Sequence, residues 1–165
     1  MKKVTSSTKR AKVPFHLKSS LAIAKRHRRE IERLRGVIAE HETALAGELT
    51  IAERGHHTAS KRFRELDLTR SEKIVELYAS IERASEYKDA PRRLEIIQIE
   101  HDRAAALVHY DMYTWQAEQY AAAGNPGNAA RCHKEAERAK ANADHLLRTT
   151  EERLAFLEQE GGSHD

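Results

Sequence analysis

Histidine is the side chain of this sequence best suited to binding a metal ion, and ten are present. Di-metal helical bundles take their ligands from two Glu-x-x-His pairs and two further glutamates. Here only Glu53-Arg-Gly-His56 has that spacing, and Gly55 inside it disfavours the helix that such a pair needs. The His-Glu-x-x-His pattern does not occur. The sequence therefore predicts no metal site and no cofactor, and His56 and His57 come nearest to qualifying as ligands.

Candidate nucleophiles are equally isolated. Cys132, the single cysteine, falls on the apolar stripe of a predicted helix, where a thiol is buried and inert. One cysteine also excludes a disulfide framework, which fits a reducing cytoplasm. Neither a Gly-x-Ser-x-Gly turn nor a glycine-rich phosphate loop occurs. We predict no catalytic residue, and a protein that is not an enzyme.

Positive charge is concentrated at the N-terminus. Residues 1–29 contain ten lysines and arginines and no acidic residue, whereas residues 30–165 hold the other 19 bases and all 26 acids. This division favours an arm that binds a polyanion, because attraction to phosphate needs only Lys and Arg at sufficient density. The predicted nucleic-acid-binding residues are Lys9, Arg10, Lys12, Lys18, Lys25, Arg26, Arg28 and Arg29.

The basic N-terminus has other interpretations, which the sequence leaves open. It could be a solubilising terminus, a segment that binds an acidic protein surface, or a mitochondrial transit peptide. An anionic membrane is disfavoured because apolar anchors in the arm are sparse. The basic segment leads into apolar heptads and so resembles the layout of a basic-zipper DNA reader, although the Asn and paired Ala positions of that family's contact helix are absent.

Composition favours helices as the elements that position these residues. Charged residues make up 33% and aromatic residues 5%, and three prolines and seven glycines leave most of the chain uninterrupted. Such a mixture is typical of long helices with narrow apolar stripes, and no segment alternates as a strand would. We predict an all-α fold: an elongated helical bundle or antiparallel coiled-coil hairpins (residues 16–160), with a basic flexible arm at residues 1–15 and a tail at 161–165.

Periodicity and capping signals set the expected helix bounds. From Leu17 to Leu45 apolar residues recur every seven positions, which predicts a helix that lies along another helix. Thr69-Arg-Ser-Glu72 matches a capping box, and Asp89-Ala-Pro91 matches an N-cap followed by a first-turn proline. The predicted helices are 16–46, 58–66, 70–88, 91–123 and 128–159.

Helix 91–123 carries two apolar faces, which predicts a central position with neighbours on two sides. Its aromatic residues are candidate partner-binding residues, because Tyr and Trp anchor protein interfaces; packing inside the bundle is the alternative. These residues are Tyr110, Tyr113, Trp115 and Tyr120.

A turn of glycines, asparagines and proline joins this helix to the last one. Gly124 suits a left-handed helix end, Pro126 stops continuation, and Asn125 or Asn128 suits a cap. Residues 113–141 resemble one tetratricopeptide unit through Ala117, Tyr120, Gly124, Ala129 and Ala136, with Gln116 and His133 in place of that family's large anchors. The resemblance implies a protein-binding helical hairpin.

Together these features predict a non-catalytic helical assembly protein. Its arm engages the nucleic-acid phosphate backbone while the bundle oligomerises or docks protein partners. The alternative is a pure protein–protein adaptor with no nucleic-acid role. No apolar run approaches the ~20 residues that span a bilayer, so we predict no membrane partner and a cytoplasmic location.

Overall fold

The computed structural model describes the backbone of residues 13–161, and the side chains of all of these except Thr150 and residues 157–161. Four helices follow one another: α1 (Phe15–Leu45), α2 (Ile51–Ala79), α3 (Ala84–Ala122) and α4 (Pro126–Gly161). No strand occurs within residues 13–161. The predicted all-α class is confirmed.

Each helix packs antiparallel on the next, and cross-helix contacts fix the order. His41 lies opposite His57, Arg62 opposite Asp111 and Glu95 opposite Arg153. Helix α3 packs on both α2 and α4, as its two apolar faces predict, whereas α1 and α4 do not touch within the described residues. The result is an open row of helices with α1 and α4 at its two edges.

The hydrophobic core lies where the N-terminal half of α1, the C-terminal part of α2 and the N-terminal part of α3 meet. Ala24 of α1 packs with Ile74, Leu77 and Tyr78 of α2 and with Ala90 of α3. The α3–α4 contact instead depends on small side chains, which allow the two backbones to approach closely. Its buried small residues are Ala106, Ala117, Ala129, Cys132, Ala136 and Ala143.

Helix α2 differs from its prediction. Residues 58–66 and part of 70–88 form one continuous helix, and the breaks fall at residues 46–50 and 80–83. Thr69 does not cap: its Oγ1 donates to the Glu65 carbonyl 3.0 Å away, as in a helix interior. The capping box is at Thr50, whose Oγ1 accepts from Glu53 N at 3.2 Å while Glu53 Oε2 accepts from Thr50 N at 2.9 Å.

Helix α3 begins at Ala84, before the start predicted at residue 91. Glu86 caps this start of the helix: its Oε2 accepts hydrogen bonds from the backbone N of Glu82 at 2.8 Å and from the backbone N of Arg83 at 2.9 Å. Pro91 therefore lies inside the helix, where it has no amide to donate to the Tyr87 carbonyl. Burial of Ala90 in the core favours continuing the helix through this position.

The α3–α4 turn follows its predicted chemistry. Gly124 has a φ of 69°, the left-handed conformation that glycine adopts without strain. Asn125 Oδ1 accepts from Asn128 N at 3.2 Å, and Pro126 is the first residue of α4. The prediction for Gly124 and for an asparagine cap is confirmed, and α4 begins two residues before the expected residue 128.

Candidate nucleic-acid interface

The basic residues of α1 lie on the side of the helix turned away from α2. Lys18, Lys25 and Arg29 fall within about 40° of one another around the helix axis, and Arg26 and Arg28 flank them at about 80° on either side. All five are exposed, and we call them the basic face. The buried residues of α1 lie opposite: Ser20, Ala24, Ile31 and Leu34.

The basic face is not neutralised by the protein itself. None of its five side chains forms an ion pair with an acidic residue in the part of the chain that is described. The nearest acids in α1 are already engaged, because Glu30 accepts from Arg33 Nε at 2.9 Å and Glu32 from Arg35 at 3.0 Å. The face therefore presents its full positive charge to solvent.

Three of the predicted nucleic-acid-binding residues, Lys9, Arg10 and Lys12, lie outside the described residues. The other five, from Lys18 to Arg29, are the basic face. Apolar side chains accompany it: Phe15 is 76% exposed and Leu21 is 58% exposed. Phe15 contacts the edge of Tyr87, with ring centroids 6.4 Å apart, so the start of α1 is anchored to α3.

The four predicted partner-binding aromatic residues are half-buried and do not share one surface. Tyr113 and Trp115 are two positions apart, which separates them by about 200° around α3. Trp115 lines a cleft of ≈ 230 Å³ between α2 and α3, whereas Tyr113 stacks on His109 with centroids 6.5 Å apart. Tyr110 and Tyr120 lie on the same side of α3 as Tyr113, spread over about 15 Å of its length, whereas Trp115 lies on a different side.

Histidines from two helices meet near the α1–α2 corner. The Nδ1 atoms of His41 and His57 are 3.1 Å apart, and the His56 ring lies against His57 with centroids at 5.8 Å. Burial, followed by His57, His56 and Arg64, lowers the pKa of His41, and Glu40 acts in the opposite direction. Sequence reasoning did not find this pair, because pairing His41 with His57 requires the register of the hairpin.

Charged residues also join α2 to α3. Asp67 of α2 accepts from His101 Nε2 of α3 at 3.1 Å and from Arg64 of its own helix at 3.1 Å, and Arg62 of α2 binds Asp111 of α3 at 2.8 Å. An Asp–His pair can orient an imidazole for proton transfer. The other ring nitrogen of His101, Nδ1, lies 3.2 Å from Oδ1 of Asp102, and among the described residues no Ser, Thr or Cys side chain is hydrogen-bonded to His101. The contact between Asp67 and His101 links α2 to α3.

Cys132 is buried between α3 and α4, as predicted. Its Sγ lies 4.0 Å from Oε1 of Gln116, a neutral amide. Burial beside a neutral amide is typical of a structural cysteine.

Comparisons with protein-family models, with curated proteins and with solved structures return no match. Residues 113–141, which resemble a tetratricopeptide unit, form the end of α3, the turn and the start of α4, but α3 has 39 residues and α4 has 36. Each is longer than the whole 34-residue repeat of that family. Within residues 13–161, no helix combines the length and apolar character that crossing a bilayer demands.

Proposed function

We propose that this protein is a non-catalytic helical assembly protein that binds the phosphate backbone of nucleic acid through its basic N-terminal region. One observation carries the proposal: the five exposed cations of the basic face have no acidic partner among the described residues, and they lie on a helix surface that no other helix covers. Exposed, uncompensated cations at this density are the requirement for phosphate-directed binding.

The geometry of the basic face suits a phosphate chain. From Lys18 to Arg29 it extends for about 16 Å along α1, since each helical residue advances 1.5 Å. Because α1 packs along α2, the cations are carried on a rigid rod. Binding would release the counterions condensed on the nucleic acid and would not depend on base sequence. In this proposal the remaining helices dock protein partners or further copies of the chain.

Salt dependence tests the proposal. We expect the full-length protein to bind a fluorescently labelled DNA duplex in an anisotropy titration, with an affinity that falls steeply as salt rises. The triple variant Lys25→Gln/Arg26→Gln/Arg29→Gln should lower the magnitude of the log–log salt slope by about 2 to 3, since each phosphate contact contributes about 0.9.

A matched control distinguishes the effect of the basic face from the effect of net charge alone. Lys134→Gln/Lys140→Gln/Arg148→Gln removes the same charge from exposed positions of α4 and should leave the salt slope within about 1 of the wild type. Equal losses in the two variants, or no salt-sensitive binding by the wild type, would contradict the proposal. Deleting residues 1–12 measures the share of Lys9, Arg10 and Lys12. Deleting 1–29 is unsuitable because it removes Ala24 from the core.

A protein-binding adaptor is the second candidate, favoured by the half-buried Trp115 in its cleft beside Met112 and Val108. Tryptophan is enriched at the centres of protein interfaces. If this candidate is correct, Trp115→Ala should weaken capture of a partner that co-purifies with the wild-type protein, and the triple variant of the basic face should retain it. The reverse pattern supports the nucleic-acid proposal.

A further inference from the structure

Two imidazoles face each other across the α1–α2 hairpin. His41 lies in the last two turns of α1 and His57 in the second turn of α2. Their Nδ1 atoms are 3.1 Å apart, the ring centroids are 5.3 Å apart, and the rings cross at 63°. Both side chains are half-buried.

The space between the two nitrogens holds a single proton. At this distance one Nδ1–H donates to the other Nδ1, so one ring carries its proton on Nδ1 and the other on Nε2. When the ring that carries its proton on Nδ1 takes the Nε2–H tautomer instead, each Nδ1 has a free lone pair, and the two nitrogens can bind the same cation.

We propose that His41 and His57 together bind one divalent transition-metal ion of the Zn²⁺ class through their Nδ1 atoms. Metal–nitrogen bonds are about 2.0–2.1 Å long, so nitrogens 3.1 Å apart subtend an angle of roughly 100° at the ion. This angle lies between the cis angle of octahedral complexes and the tetrahedral angle, so the spacing of the two nitrogens fits one shared ion placed to the side of the line that joins them.

The corner beside the pair is held in place by its own hydrogen bonds. Arg54 donates from Nη1 to the Leu45 carbonyl and from Nη2 to the Gly47 carbonyl, each at 3.2 Å. The capping box of Thr50 and Glu53 fixes the first turn of α2. The two ligands therefore project from a pre-organised hairpin, and preorganisation reduces the entropic cost of binding.

Only two protein ligands are available. The described residues contain no third His, Cys, Asp or Glu placed to complete a metal-binding group, so water fills the remaining positions. Arg64 opposes the charge of the ion and Glu40 favours it. The site is thus of modest affinity, and its effect is to cross-link α1 to α2. It is independent of nucleic-acid binding.

Zinc titration of the full-length protein tests the site. By isothermal calorimetry at pH 7.5, His41→Ala and His57→Ala should each weaken Zn²⁺ binding at least tenfold, and the double variant should be no weaker than either single variant. His133→Ala/His145→Ala, which removes exposed histidines of α4, is the control and should retain the wild-type affinity.

A second measurement remains informative if an alanine variant unfolds. Long-range ¹H–¹⁵N spectra of the wild-type protein should show Zn²⁺ bound to Nδ1 of both His41 and His57, with Nε2 of each ring protonated. Coordination through Nε2, spectra of these two rings unchanged by Zn²⁺, or equal loss of affinity in the α4 control overturns the proposal.

Discussion

Gly55 of α2 lies directly against the side chain of Gln116 of α3. A Cβ added at Gly55 would meet Cγ and Cδ of Gln116 at 2.9 Å, closer than real Cβ atoms approach a neighbour. Gln116 is buried, and its amide oxygen lies 4.0 Å from the Cys132 thiol of α4. Gly55 therefore makes room for the side chain that links three helices, which explains a glycine in a helix interior.

Adding one methyl group at this contact should destabilise the protein. Gly55→Ala gains about 1 kcal/mol of helix propensity, but overpacking against a buried side chain costs about 1–3 kcal/mol. We expect a net loss of about 1 kcal/mol in the free energy of unfolding, measured by urea denaturation.

Gly36→Ala is the matched control for this substitution. Gly36 is an exposed residue of α1, and a Cβ there would meet nothing within 4 Å. This variant should gain about 0.5–1 kcal/mol, the usual preference for alanine over glycine in a helix. If Gly55→Ala were stabilised to the same extent, Gln116 would have moved without cost and the proposed packing constraint would be wrong.

The capping box at the start of α2 provides a second prediction. Thr50→Ala removes the side-chain acceptor of the Glu53 amide and should cost about 1 kcal/mol in the free energy of unfolding. Thr69→Ala, in the exposed interior of α2, should be neutral or slightly stabilising because alanine has the higher helix propensity. Thermal denaturation of the two variants distinguishes them, and equal losses would contradict the assignment of Thr50 as the cap.

These two threonines illustrate what local sequence leaves undecided. Both Thr50-Ile-Ala-Glu53 and Thr69-Arg-Ser-Glu72 match the capping pattern. A cap contributes about 1 kcal/mol. Burial of Ser71 and Ile74 between helices outweighs a cap at Thr69 and keeps α2 continuous. Tertiary packing thus decides which match is used, and neither motif contains that information.

Features set by residues close in sequence were predictable. The seven-residue repeat from Leu17 predicted the rod of α1, and Gly124 with Asn125 predicted the α3–α4 turn. Because the apolar side of α1 packs against α2, the lysines and arginines of α1 lie on the opposite side, which faces solvent. The pairing of His41 with His57 was not predictable, because it depends on the length of the corner between α1 and α2.

The free energy of unfolding should fall in acid because of a carboxylate at the start of α3. Backbone hydrogen bonds from Arg83 and Glu82, followed by the Arg83 side chain, lower the pKa of Glu86 from 4.5 to about 2. A carboxylate with a lowered pKa stabilises the folded state above its unfolded pKa, and this contribution is lost as pH falls from 4.5 through about 2. Glu86→Gln should therefore show a smaller decrease in stability over this range than the wild type.

Urea denaturation at a series of pH values measures that difference, and Glu137→Gln, an exposed glutamate of α4, is the control that should follow the wild type. The carboxyl ¹³C signal of Glu86 should titrate near pH 2. A midpoint at its ordinary value would contradict the hydrogen bonds assigned to it.

Protonation of His27 should destabilise the α1–α2 contact at mildly acidic pH. Its Nδ1 is buried and has no hydrogen-bond partner among the described residues. Burial, followed by the charges of Arg26 and Arg70, lowers the pKa of His27 from 6.5, and Glu30 opposes the shift. The unfolded chain therefore binds this proton first, so stability falls as pH drops through 6.5 and levels off below the folded-state pKa.

Replacing this imidazole should reduce that pH dependence. Between pH 7.5 and pH 5, the free energy of unfolding of His27→Gln should fall less than that of the wild type, because glutamine does not titrate. His133→Gln, at an exposed position of α4, should retain the wild-type pH dependence. Equal losses of stability in His27→Gln and in the wild type would contradict the assignment of this pH dependence to the buried imidazole of His27.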